Sequence, residues 1–116
     1  MIEVKNKAGK VIHTVYAENL VGVSFKGAHL HEADFSCVNL EGADFSHAKL
    51  VDATFSGSNC ANVNFNYANL AGVNFIYCNL HNAQLEYVNI KRAFLKGAKL
   101  HKASLCGADI DERTEF

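Results

Sequence analysis

EGADFSHAKL, residues 41–50, holds two copies of one five-residue pattern: a small residue, a polar one, a large apolar one and two without strong preference. Ala43-Asp44-Phe45 and Ala48-Lys49-Leu50 carry its ordered part. Outward in both directions the apolar centre returns every fifth residue: Leu20, Phe25, Leu30, Phe35, Leu40, Phe45, Leu50, Phe55, Cys60, Phe65, Leu70, Phe75, Leu80, Leu85, Ile90, Leu95, Leu100, Leu105 and Ile110. Helices repeat near 3.6 residues and strands at 2, so five is the period of neither. An apolar residue at every fifth position faces one interior only if the chain turns about a quarter circle per repeat. Four repeats then close a square coil, and coils spaced like neighbouring strands, roughly 4.8 Å apart, stack into a solenoid. All of the centres are expected in its core.

The rest of the pattern follows from that geometry. A tight corner needs a small side chain beside each large one, and alanine or valine stands two places before most centres, as in Ala53, Ala68, Val73 and Ala98. The polar residue between them, commonly Asn or Asp, must point outwards, where it tolerates turns and bonds nearby backbone groups. Coil-to-coil bonding needs every backbone N–H, and the sequence has no proline. Sorting by twenty residues gives the walls. Leu20, Leu40, Cys60, Leu80 and Leu100 face Leu30, Leu50, Leu70, Ile90 and Ile110, and the other two walls carry phenylalanine early and leucine late. Asn19, Asn39, Asn59 and Asn79 form an outward asparagine ladder, a structural device in stacked strands.

EGADFSHAKL and KGAKLHKASL, residues 96–105, resemble the pentapeptide-repeat family with its A-D/N-L-x-x consensus. The resemblance covers all but the two ends. It implies an all-β fold, a right-handed quadrilateral β-helix of nearly five coils. For function it implies a range, from mimics of DNA that act on DNA gyrase to proteins with no assigned role. Gyrase-directed members pair through a carboxy-terminal helix, and the six residues after Ile110 are too few for one.

The ends divide the chain into residues 1–17, 18–112 and 113–116. Ile2 to Val4 and Val11 to Tyr16 read as a hairpin that caps the first coil, whose open edge otherwise invites pairing. The short tail leaves the last coil less protected. Two readings stand: a homodimer through the carboxy-terminal coil, or Asp111 to Phe116 folding back to cap the monomer.

At 116 residues and 49% hydrophobic, the chain can bury a continuous core without staples. No signal peptide or membrane span is visible at the charged amino terminus, and the expected location is cytoplasmic. Cys60 and Cys78 read as buried free thiols and Cys37 and Cys106 as outward ones, with no CxxC pair for zinc. His81 and His101 stack one coil apart without further ligands, so no metal and no cofactor is expected. A filled rod offers no cleft for catalysis, and the chain reads as no enzyme. Mimicry of DNA needs a long negative surface. Glu32, Asp34, Glu41, Asp44 and Asp52 are instead spread over the walls, Lys91, Arg92, Lys96, Lys99 and Lys102 belt the last coils, and the net charge is −1. Because that belt wraps the rod, nucleic-acid binding is not supported either. Surface recognition of an unidentified protein partner is left. Large outward residues mark where: Ile76, Tyr77 and Phe94 on one wall, Tyr67 and Tyr87 on another, the last two read in the first place as a stacking ladder. Phe94 stands out, since it takes a position usually held by Asn or Asp.

Overall fold

The computed structural model describes all 116 residues. From residue 18 onward the chain winds as a square solenoid with no helix. Each wall is a ladder of single-residue parallel β bridges spaced by twenty residues. Ser24, Asp44, Asn64, Gln84 and Ser104 make one ladder, and His29, Lys49, Asn69, Asn89 and Asp109 another. Asn39, Asn59, Asn79 and Lys99 make a third.

Five residues suffice for a repeat because all five N–H groups find acceptors where an asparagine stands before the centre in the middle coils. In the middle coils the centre donates to the next coil, as Leu50 does to the Asn69 carbonyl at 2.9 Å, and so does the residue two places on, Asp52 to Ala71 at 2.9 Å. The polar residue donates to the coil before, Asn69 to Ala48 at 3.0 Å, and the small residue closes the turn, Ala53 to Leu50 at 3.0 Å. The fifth N–H goes to the polar side chain: Asn59 Oδ1 accepts from Ala61 at 3.1 Å and Asn79 Oδ1 from His81 at 3.1 Å. That bond is the local reason for Asn and Asp before the centre. The residue two places after the centre has a left-handed backbone at every corner from Gly22 to Gly107, glycine or not. Asparagine side chains add a rung between coils, Asn59 to Asn39 at 3.2 Å and Asn79 to Asn59 at 3.3 Å; Asn19 does not join it.

The interior is filled. Phenylalanines on opposite walls stack along the axis and meet edge-to-face across it: Phe35 lies 5.2 Å from Phe55 at 16°, while Phe45 and Phe55 lie 5.4 Å apart at 87°. Centres from Leu20 to Leu95 are buried. The expectation of a buried core fails at the last coil, where Leu100 and Leu105 are half-buried and Ile110 is 53% exposed. Nothing in the chain stacks over them, so their axial faces stay in solvent.

Strands β1 (Ile2–Lys5) and β2 (Val11–Val15) form the amino-terminal hairpin, antiparallel with a bulge at Val4/Lys5. Val4 is buried in the core and His13 packs 5.5 Å from Phe25. The Lys5 carbonyl accepts from Asp34 at 2.8 Å and Lys7 donates to Glu32 at 2.9 Å, which covers one wall of the early coils.

At the other end the solenoid runs past residue 112. Glu115 bridges Phe94, accepts from Leu95 at 2.7 Å and donates to Ala93 at 2.9 Å. The tail therefore folds back on the monomer along one wall, one residue out of step with the repeat, and Ile110 and Phe116 are both exposed. A turn of Asp111–Thr114 absorbs the extra residue. The Asp111 carboxylate holds it, accepting from Arg92 N–H at 3.1 Å and Arg113 N–H at 3.0 Å. Those bonds, Arg92 first, hold its carboxyl below the usual carboxylate range, so the ionised form is the one that fastens the tail.

Candidate recognition surface

Corner residues in the left-handed conformation send their side chains along the outside of the rod, where they lie over the next corner. One such column is aromatic. His47 stacks on Tyr67 at 5.0 Å and 7°, and Tyr67 on Tyr87 at 5.3 Å and 12°. Tyr87 ends the column over Gly107, where a Cβ would stand 2.5 Å from its ring, and Tyr77 lies in the same way over Gly97. Three of the five proposed surface residues thus have structural neighbours: Tyr67, Tyr77 and Tyr87 lie along the corners, and each stays more than half exposed. Ile76 is half-buried.

A different column runs Asp52, Gly72, Arg92. Gly72 has no side chain to fill its corner, so Asp52 and Arg92 close over it from either side, Arg92 Nη1 to Asp52 Oδ1 at 3.8 Å. A methyl group at Gly72 would collide with the Asp52 carboxylate. Beyond this pair the tail turn brings in Glu112 and Arg113, and the ladder brings Glu115 beside Phe94. Together they line an open notch of about 390 Å³ whose one apolar side chain is Phe94. Phe94 is 40% exposed. The notch is lined by Phe94 without Ile76 or Tyr77. Phe94 also forgoes the turn bond that Asn74, one coil earlier, makes to the Ile76 N–H at 2.9 Å, and the Lys96 N–H finds no acceptor.

Sequence reasoning singled out Phe94 but not its company. Sorting by twenty puts Asp52, Gly72, Arg92 and Glu112 in one column, which was the available signal. The slip that sets Glu115 rather than Thr114 beside Phe94 has none.

Other groups are structural. His81 and His101 stack at 5.1 Å and 15°, and no three His, Cys, Asp or Glu side chains converge as a metal site would require. Cys60 and Cys78 are buried either side of Ser58, whose hydroxyl donates to the Phe55 carbonyl at 2.7 Å and lies 3.3 Å from each sulfur. Burial pushes the Cys60 thiol well up. Cys37 and Cys106 are exposed thiols.

The profile of the pentapeptide repeat region matches residues 28–112, which lie within the bridged coils that run from Ser24 to Glu115. The chain belongs to the pentapeptide-repeat family. Among solved structures it is similar to a pentapeptide repeat protein of the Arabidopsis thaliana thylakoid lumen, with 31% identity and TM-score 0.53 over 78% of this chain and 59% of that one. It is also similar to one from Nostoc PCC 7120, with 30% identity and TM-score 0.58 over 80% of this chain and 73% of that one. A fluoroquinolone resistance protein, QnrB1, shares the fold at 16% identity and TM-score 0.64, over 77% of this chain and 51% of that one. The chain thus spans little more than half the length of two of these three. No curated protein sequence matches. The fold of this pentapeptide-repeat protein is the right-handed quadrilateral β-helix of these relatives, and no helix is long and apolar enough to cross a membrane.

Proposed function

We propose that this pentapeptide-repeat protein is a non-enzymatic scaffold that recognises a protein partner through the wall carrying Phe94. The observation behind this reading is Phe94 itself. It is the one apolar residue among those directly before the centres, it stays 40% exposed, and its corner gives up a hydrogen bond that Asn74 supplies one coil earlier. Aromatic side chains, phenylalanine among them, are enriched at protein recognition surfaces. The tyrosine column is the lesser candidate, because its rings spend their faces on one another. A core packed with the repeat centres leaves chemistry no interior cleft.

The reading is tested by capture from a lysate of the organism that makes the chain, comparing the wild type with Phe94→Asp. A defined protein retained by the wild type and lost with Phe94→Asp is the expected result. Identical retention by both would contradict it. The alternative, a DNA-mimicking modulator of gyrase, is disfavoured by the basic belt of Lys91, Arg92, Lys96, Lys99 and Lys102 on a chain of net charge −1. Stoichiometric protein should leave gyrase supercoiling unchanged. Inhibition abolished by neutralising Glu32, Asp34, Glu41, Asp44 and Asp52 would favour the alternative.

A further inference from the structure

We infer that the notch beside Phe94 takes a guanidinium group, an arginine side chain presented by the partner. The inference rests on Phe94 marking the partner surface, and it names what that surface reads. Glu115 is the bridge partner of Phe94, so the two side chains leave the same wall one strand apart, roughly 4.8 Å at the backbone. A carboxylate next to a part-exposed aromatic ring is an arrangement that suits a flat cation, which can stack on the ring while its edge bonds the oxygens.

The charges of the notch select the same class. Asp52 and Arg92 offset each other over Gly72. Glu112, Glu115 and Arg113 are in no ion pair, which leaves the lining one negative charge in excess. A monocation is attracted, whereas a phosphate or carboxylate meets the excess carboxylates. The volume of about 390 Å³ admits an arginine side chain. Lysine fits less well, because an ammonium has no planar face for the ring and edge for the carboxylate at once. Arg113 shares the notch and acts as an internal competitor of like charge.

The test is an NMR titration of the full chain at low salt with N-acetyl-L-arginine amide, and with the citrulline counterpart as a neutral isostere. Saturable shifts are expected at the amides of Phe94, Glu112, Arg113 and Glu115, with a dissociation constant on the order of 1 mM for so small a probe. Phe94→Ser and Glu115→Gln should each weaken binding about two- to fivefold, Phe94→Tyr should retain it, and Arg113→Gln should tighten it about twofold. Unchanged spectra elsewhere certify that each variant is folded. Equal shifts with citrulline, no saturation at about ten times that concentration, or indifference to both Phe94→Ser and Glu115→Gln would overturn the inference. Tighter binding of free arginine than of the blocked amide would overturn it in favour of an amino-acid site. A partner captured through Phe94 alongside a failed titration removes the arginine and keeps the surface; a successful titration without a captured partner does the reverse.

Discussion

Phe55→Ala should destabilise the protein by about 3–5 kcal/mol, read by chemical denaturation, and lower the Tm by on the order of 10–20 °C. Its ring lies 5.2 Å from Phe35 and 5.3 Å from Phe75 along the axis, and 5.4 Å from Phe45 and from Phe65 across it. Removing it opens a void at the centre of the rod. Collapse around that void is blocked because the walls are tied coil to coil by ladder bonds, so neighbouring rings cannot move in without breaking them. Lys26→Ala, on an exposed corner, should change stability by less than about 0.5 kcal/mol. Equal losses for the two variants would contradict a filled, axially stacked core.

Asn64→Pro should cost on the order of 3 kcal/mol through the backbone rather than the core. The Asn64 N–H donates to the Ala43 carbonyl at 3.1 Å, and Asn64 Oδ1 accepts from Asn66 at 2.8 Å. Proline removes both bonds and orphans the carbonyl of the buried Ala43. Asn64→Ala keeps the ladder bond and loses only the turn bond, so its loss should be about 1 kcal/mol. The difference between the two substitutions at one site isolates the coil-to-coil bond. Should Asn64→Pro be no worse than Asn64→Ala, the ladder does not hold the coils as described.

The coil was legible because a single number, five, is repeated too often to arise from a helix or a strand. Each repeat closes its own hydrogen bonds with the coils on either side, so the local pattern and the global fold carry the same information, and Leu20 to Leu95 are buried as the period requires. Legibility ends where a residue has no coil on one side. Leu100, Leu105 and Ile110 keep the pattern of a core residue and lack its cover, a difference that periodicity does not encode. The hairpin was visible in the alternation of Ile2 to Val4 and the β-rich Val11 to Tyr16. The lie of the tail was left between two alternatives, since six residues outside the repeat carry no period. For the surface, the tyrosine ladder followed from the spacing of Tyr67 and Tyr87, while Phe94 was visible only as an exception. Its neighbours Arg113 and Glu115 reach it through a turn one residue longer than the repeat, set by the bonds of the Asp111 carboxylate.

Four repeats to a coil is the central claim, and an engineered cross-link tests it most directly. Asn69 and Asn89 are bridge partners on one wall, whereas Gln84 bridges Asn64 on the adjoining wall. Parallel bridge partners stand roughly 4.8 Å apart, within the span a disulfide closes. With the exposed Cys37 and Cys106 replaced by serine, the double variant Asn69→Cys/Asn89→Cys should oxidise to an internal disulfide, counted by thiol titration of the unfolded chain. The pair Asn69→Cys/Gln84→Cys should stay reduced under the same conditions. Closure of the second pair and not the first would contradict a twenty-residue coil.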